Sequence, residues 1–171
     1  MTDLLILFIL QKNKSSIYGI KKEIDSKFCN YFSVSLGAIH PGLKRLEDKQ
    51  LITLSKQISS GGQRKSTYSI TEKGTNHFKD LIQAELPNHP SNAEQLINLK
   101  LLALDMLDEK SKKIILTDIA RHYEKLKIMA TAVLNKIEIS QHHSSILRQE
   151  IKTLEFKIER IALLAKDVKT N

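Results

Sequence analysis

Little in this sequence speaks for covalent chemistry. Its 171 residues include a single cysteine, no tryptophan, three prolines and only 5% aromatic side chains. One cysteine, Cys29, excludes an internal disulfide and any multi-cysteine zinc site. No nucleophile elbow, phosphate loop or paired-carboxylate motif is present, so neither an enzyme nor a cofactor is expected. Adjacent histidines point in different directions, so His142-His143 reads as solvated loop and no metal is expected. The apolar run at residues 4–10 is far shorter than the roughly 18 residues of a membrane span. It also lacks the basic flank and small-residue cleavage site of a signal peptide. The expectation is a cytoplasmic protein with no membrane partner.

What the chain does carry is positive charge and helical periodicity. The formal net charge is +8, with an apolar fraction of 41% and a charged fraction of 27%, which describes a folded globular chain. Residues 1–86 hold 13 Lys and Arg against 8 Asp and Glu, and residues 87–171 hold 14 against 11. The excess is therefore mildly biased toward the N-terminal half, which suits a polyanionic partner without requiring one.

Read in order, residues 4–10 suit a buried helix and residues 11–16 a solvated turn. Ile17, Ile20, Ile24 and Phe28 then mark a second helix, capped by Ser15 or Ser16. In the next segment Leu36, Ile39, Leu43 and Leu46 are spaced 3, 4 and 3 residues apart, one apolar helical face. Ser35, Gly37, Ala38, His40, Pro41, Lys44 and Arg45 fall on or near the other face. Pro41 opposes this helix, since an interior proline costs about 3 kcal/mol. The helix starts either at Pro41 or, with a good cap, at Ser35; the continuous apolar face favours Ser35. Residues 51–58 alternate as a strand, Ser59-Ser60-Gly61-Gly62 signals a tight turn, and residues 64–70 form the return strand. Thr71 caps the following helix, which runs to about residue 85. Lys56, Arg64 and Lys65 flank the turn, where cations on a protruding hairpin could reach phosphates. Helices, then a hairpin with a basic tip, make a winged helix-turn-helix over residues 1–86.

The motif Tyr18-Gly19-Ile20-Lys21-Lys22-Glu23-Ile24 is followed by Phe32-Ser33-Val34-Ser35-Leu36-Gly37-Ala38-Ile39-His40-Pro41-Gly42-Leu43-Lys44-Arg45-Leu46-Glu47. Arg64-Lys65 and Tyr68-Ser69-Ile70-Thr71-Glu72-Lys73-Gly74 complete the set. In these blocks and their order, roughly residues 4–80 resemble the PadR family of winged-helix transcriptional regulators. The resemblance implies a homodimeric regulator of double-stranded DNA whose third helix runs through Pro41. It implies DNA contacts by Tyr18, Ser35, Gly37, Ala38, His40, Pro41 and Lys44, with Arg64 and Lys65 on the wing. The sequence departs from the family pattern at Ile17 and Gln50, where glycine is usual, at Leu36, where proline is usual, and at His40, where tyrosine is usual.

Past the proline-rich stretch at residues 86–91, the second domain is expected over residues 87–171. Leu96, Leu99, Leu102, Ala103 and Met106 mark one helix. The next carries Leu116, Ile119, Tyr123, Leu126, Ala130, Val133 and Ile137; after an interruption at 140–145, the last carries Leu147, Ile151, Leu154, Ile158, Ile161, Ala165 and Val168. Both stripes alternate steps of 3 and 4 residues, the seam of a coiled coil. The fold expected is mainly α with a small β-hairpin wing, ending in a helical, coiled-coil-like dimerisation domain. Its interface is placed at Leu116, Ile119, Tyr123, Leu126, Leu147, Ile151, Leu154, Ile158 and Ile161, and an antiparallel pair within one chain is the alternative. The function expected is binding of a near-palindromic operator through residues 35–49 and a wing near 59–65, with repression favoured over activation. A small-molecule effector would switch it by coupling. The alternative is a winged-helix interaction module whose helical half binds a protein partner and not DNA.

Overall fold

The computed structural model describes residues 1–58, 64–136 and 138–168. Among these, seven α-helices and one two-stranded antiparallel sheet form two compact units, Met1–Ala103 and Leu104–Asn171. Sequence reading divides the chain at 86/87; the fifth helix here belongs to the first unit.

The first unit is built on α1, Thr2–Lys12. Its residues 4–10 are all buried, so it is apolar around its whole circumference, as a helix at the centre of a domain must be. Around it pack α2 (Ile17–Lys27), α3 (Leu36–Asp48), α4 (Glu72–Gln83) and strand β2 (Arg64–Ile70). Phe8 meets Phe28 edge-on and Phe78 at a tilt, with ring centroids 5.6 and 6.3 Å apart. Strand β1 (Ile52–Ile58) pairs with β2 in the register Ile52↔Ile70 through Ile58↔Arg64. The segment before α2 is more than a solvated turn: Ser15 exchanges both backbone hydrogen bonds with Tyr68, at 3.0 and 2.8 Å, which ties the entry of α2 to the hairpin. The turn expected at residues 59–62 lies outside the described residues.

Three helices of the first unit start on hydroxyl caps. Ser16, Ser35 and Thr71 accept from the backbone N–H groups of Gly19, Ala38 and Gly74, at 3.1, 3.3 and 3.0 Å. The helix through Pro41 therefore begins at Ser35, as its apolar face required. It ends in a Schellman motif. Gln50 N–H donates to Glu47 C=O at 2.8 Å and Leu51 N–H to Leu46 C=O at 2.9 Å, the bond pair that satisfies the last free carbonyls of a helix. The motif needs a left-handed residue after the cap, and Gln50 supplies it at φ 61°. Immediately beyond, Leu51 C=O accepts from both the backbone and the hydroxyl of Thr71, at 3.0 Å each. The start of α4 is thereby seated on the end of α3, and Gly74 lies so close that a Cβ would stand 2.0 Å from Leu51 O.

The fifth helix, α5 (Pro90–Leu102), has Pro90 in its first turn, where a missing N–H costs nothing. Lys100, only 2% exposed, reaches back to donate to Ala84 C=O at 2.6 Å. A short 3₁₀ turn (Leu104–Met106) precedes the second unit's two long helices, α6 (Glu109–Lys136) and α7 (Gln141–Asp167). Asp108 caps α6, accepting from Ser111 N–H at 2.8 Å and Ser111 Oγ–H at 2.9 Å; these bonds hold its carboxyl below the usual carboxylate range. Because the connection between α6 and α7 is so short, the pair is an antiparallel hairpin, packed along its length. Residues 141–145, expected to interrupt the helix, are its first turn: Ser140 accepts from His143 N–H at 3.2 Å. His142 and His143 are therefore helical and exposed, not part of a loop.

Two substitutions act on the α3–α4 junction in opposite directions. Gly74→Ala must push the Leu51 carbonyl away and lowers stability by about 2 kcal/mol or more. Gln50→Gly removes a left-handed penalty of about 1–2 kcal/mol, offset in part by about 0.5–1 kcal/mol of added chain entropy. It raises stability. Urea titrations of the two variants beside wild type check both signs.

Candidate nucleic-acid interface

The outer face of α3 is laid bare by the same packing that buries its inner face. Ile39, Leu43 and Leu46 are at most 2% exposed, and Gly42, also buried, faces α1. The remaining residues turn outward. Ser35, Gly37, His40, Pro41 and Lys44 are exposed and Ala38 is half-buried. Leu36, expected in the core, is 37% exposed at the helix start. Pro41 stands inside the helix as its sixth residue and removes the bond to the Gly37 carbonyl; both residues are exposed, so water can reach that carbonyl.

Tyr18 stands on the second helix with 72% of its surface exposed, although an aromatic ring gains from burial. Lys21 and Lys27, on the same helix, are held by Asp25 and Glu23. Lys44 is thus an open cation on α3, while its neighbour Arg45 is engaged. Arg45 Nε donates to Asp3 Oδ2 at 3.1 Å and Nη2 to Asp3 Oδ1 at 2.5 Å. This hydrogen bonding and the carboxylate charge raise the guanidinium further above its ordinary value. Of the wing cations, the backbones of Arg64 and Lys65 open β2, paired with Ile58 and Gln57; their side chains and the rest of the wing near 59–65 lie outside the described residues. The structure so brings Ser35, Gly37, Ala38, His40, Pro41 and Lys44 onto one surface. Sequence reasoning did not find Asp3, whose only signal was an acidic residue in the first turn of a buried helix.

The helical unit departs from expectation. Leu116, Ile119, Tyr123, Leu154 and Ile161 are buried within a single copy, and Leu126, Leu147, Ile151 and Ile158 are half-buried. Within one copy the α6–α7 hairpin folds one stripe against the other, the antiparallel pair that was the alternative, and leaves these last four partly open. Ile137 lies outside the described residues. Lys157 Nζ of α7 stands 5.1 Å over the Tyr123 ring of α6. Phe156 is 66% exposed, together with Ile146 at 66% and Leu163 at 62%. Cys29 is exposed too. Among the described residues no cluster of three His, Cys, Asp or Glu side chains could hold a metal ion. No described helix is long and apolar enough to cross a membrane.

Three helices, a hairpin and an exposed third helix define a winged helix-turn-helix protein. The chain belongs to the PadR-like family: residues 6–80 match the model of the transcriptional regulator PadR-like family. A PadR family transcription regulator from Clostridium difficile is 31% identical, aligned over 46% of this chain and 80% of that one, with a TM-score of 0.41. Bacillus subtilis PadR in complex with operator DNA is 17% identical over 96% of both chains, with a TM-score of 0.47. The same protein in complex with p-coumaric acid aligns over 97% of both chains at 17% identity and a TM-score of 0.43. None of the curated proteins matches the chain.

The cap that starts α3 also sets where its outer face begins. Ser35→Ala removes the acceptor for Ala38 N–H and lowers stability by about 1 kcal/mol, read from the shift of the thermal midpoint; Ser35→Asp keeps the cap and restores it.

Proposed function

We propose that the chain is a homodimeric, sequence-specific DNA-binding regulator that reads a near-palindromic operator. The observation that carries this is the outer face of α3. In a chain of this family it presents Gly37, Ala38, His40, Pro41 and Lys44 to solvent, small groups and donors at the spacing of one helical surface. An α-helix fits the major groove, where base edges differ in their donors and acceptors. Small residues at Gly37 and Ala38 allow close approach, the His40 imidazole can meet a base edge, and Lys44 a phosphate. Tyr18, on the helix before it, supplies a hydroxyl for the backbone, and the wing at 59–65 with Arg64 and Lys65 makes the flanking phosphate contacts. Repression is the simpler outcome, since occupying an operator is enough to exclude another protein from it.

One winged helix makes few phosphate contacts, and two held together gain effective concentration. Two-fold symmetry then demands an inverted-repeat site. The face we assign to the second copy is the outer side of α7. Phe156 and Leu163 lie seven residues apart there, about half a turn around the helix from the buried Leu154 and Ile161. Apolar surface left exposed at such spacing marks an association site. An effector that bound this unit better in one state than another would shift DNA affinity by coupling.

Selection from random duplex DNA tests the reading, and it should return one short inverted-repeat motif. No enrichment at low salt contradicts it. Lys44→Ala weakens binding to every duplex and makes the plot of log affinity against log salt shallower by about 0.9. Dimerisation is tested apart from DNA. Light scattering should give a dimer mass for wild type and a monomer mass for Phe156→Asp combined with Leu163→Asp.

A further inference from the structure

The reading helix carries less free charge than its sequence suggests. Residues 35–49 contain Lys44, Arg45 and Lys49 against Glu47 and Asp48, a net of +1. Arg45 is held side-on by the Asp3 carboxylate through two hydrogen bonds. With Asp3 counted, the helix and its ion-pair partner together are neutral.

Asp3 is well fixed for this task. It stands in the first turn of α1, one residue before the buried stretch at 4–10. Gly42 on the facing side of α3 has no Cβ to hold α1 away: one built there would lie 2.9 Å from Ile6 Cδ1 and 3.1 Å from Asp3 Oδ1. The Arg45 side chain is nevertheless 52% exposed and that of Asp3 31%, so the pair stands at the solvent-facing edge of α3 and not in the core. Ion pairs so exposed contribute little to stability, so Asp3 can be changed without unfolding the chain.

We propose that Asp3 limits the affinity of this protein for non-operator DNA by occupying Arg45. The inference rests on the DNA-binding reading above. Binding to arbitrary duplex comes from phosphate neutralisation and grows with each free cation. Base contacts do not depend on that term. Tying up one arginine therefore lowers affinity for all sequences and leaves the contribution of the base-reading residues intact. Sequence preference then makes up a larger share of what binding remains, and the protein spends less time on the wrong sites.

The test uses the full-length chain and two duplexes: one selected from random sequence by the wild type, and one of equal length with that sequence shuffled. Asp3→Asn binds the shuffled duplex about tenfold more tightly at 50 mM salt, with a log–log salt slope steeper by about 0.9. Adding Arg45→Ala to Asp3→Asn abolishes that gain. A merely structural pair gives another pattern, in which Asp3→Asn lowers the thermal midpoint and binding is unchanged or weaker; this overturns the proposal. Tighter binding that survives in the double variant also overturns it, because the gain then comes from losing the carboxylate and not from freeing Arg45. Should circular dichroism find Asp3→Asn unfolded, Arg45→Lys keeps the charge but cannot make the side-on pair. It carries the same sign, and a lack of tighter binding there counts equally against the idea. If wild type binds neither duplex, the DNA-binding reading itself falls; if wild type binds and Asp3→Asn matches it, only this inference does.

Discussion

The first unit depends on how closely α1 and α3 approach at Gly42. The first helix has no polar side in its middle, so every neighbouring element must offer it an apolar surface. The third helix offers Ile39, Leu43 and Leu46, and the missing side chain at Gly42 lets the two backbones come together there. That contact decides which residues of α3 face away. With the inner face committed to α1, the groups at positions 37, 38, 40, 41 and 44 have no alternative to solvent or a partner. The exposed surface is thus a consequence of core packing, and its small residues cost the fold little.

The α3–α4 junction locks this arrangement from the other end. Leu51 carries several demands at once: its N–H completes the Schellman motif, its carbonyl receives Thr71, and its side chain is buried. With Gly74 against the same carbonyl, the hairpin must leave α3 in one direction. The bridge between Ser15 and Tyr68 fixes the base of the hairpin a second time, from the entry of α2. A wing that meets DNA phosphates needs such a base, since contacts at its tip set register only if the tip is held.

Much of this was legible because it is local. A hydroxyl three residues before a helical N–H predicts its own hydrogen bond, so the caps at Ser35 and Thr71 follow from the chain alone, and that of α2 is narrowed to Ser15 or Ser16. The 3- and 4-residue spacing of Leu36, Ile39, Leu43 and Leu46 marked the buried face, from which only Leu36, the first residue of the helix, departs. Gln50 was legible in part: it stands where the family usually has glycine, and the left-handed φ explains why. Contacts between distant residues were not legible. Nothing in positions 3 and 45 announces an ion pair, and Ser15 gives no sign of Tyr68.

The helical unit makes the same point about periodicity. A stripe of apolar residues repeating every 3 and 4 positions says that something covers it, but not what. A second copy and a neighbouring helix bury the same atoms with the same spacing. The short connection between α6 and α7 favours the neighbouring helix for much of these two stripes, because a hairpin brings the helices together at high effective concentration while a second copy must be drawn from solution. What then distinguishes an association surface is apolar area beyond the satisfied stripe. On α7 that area is the face bearing Phe156 and Leu163, one heptad apart on the far side from Leu154 and Ile161. A helix built only to close the hairpin would carry polar residues there, so these two residues, and not the covered stripes, carry the argument for a dimer.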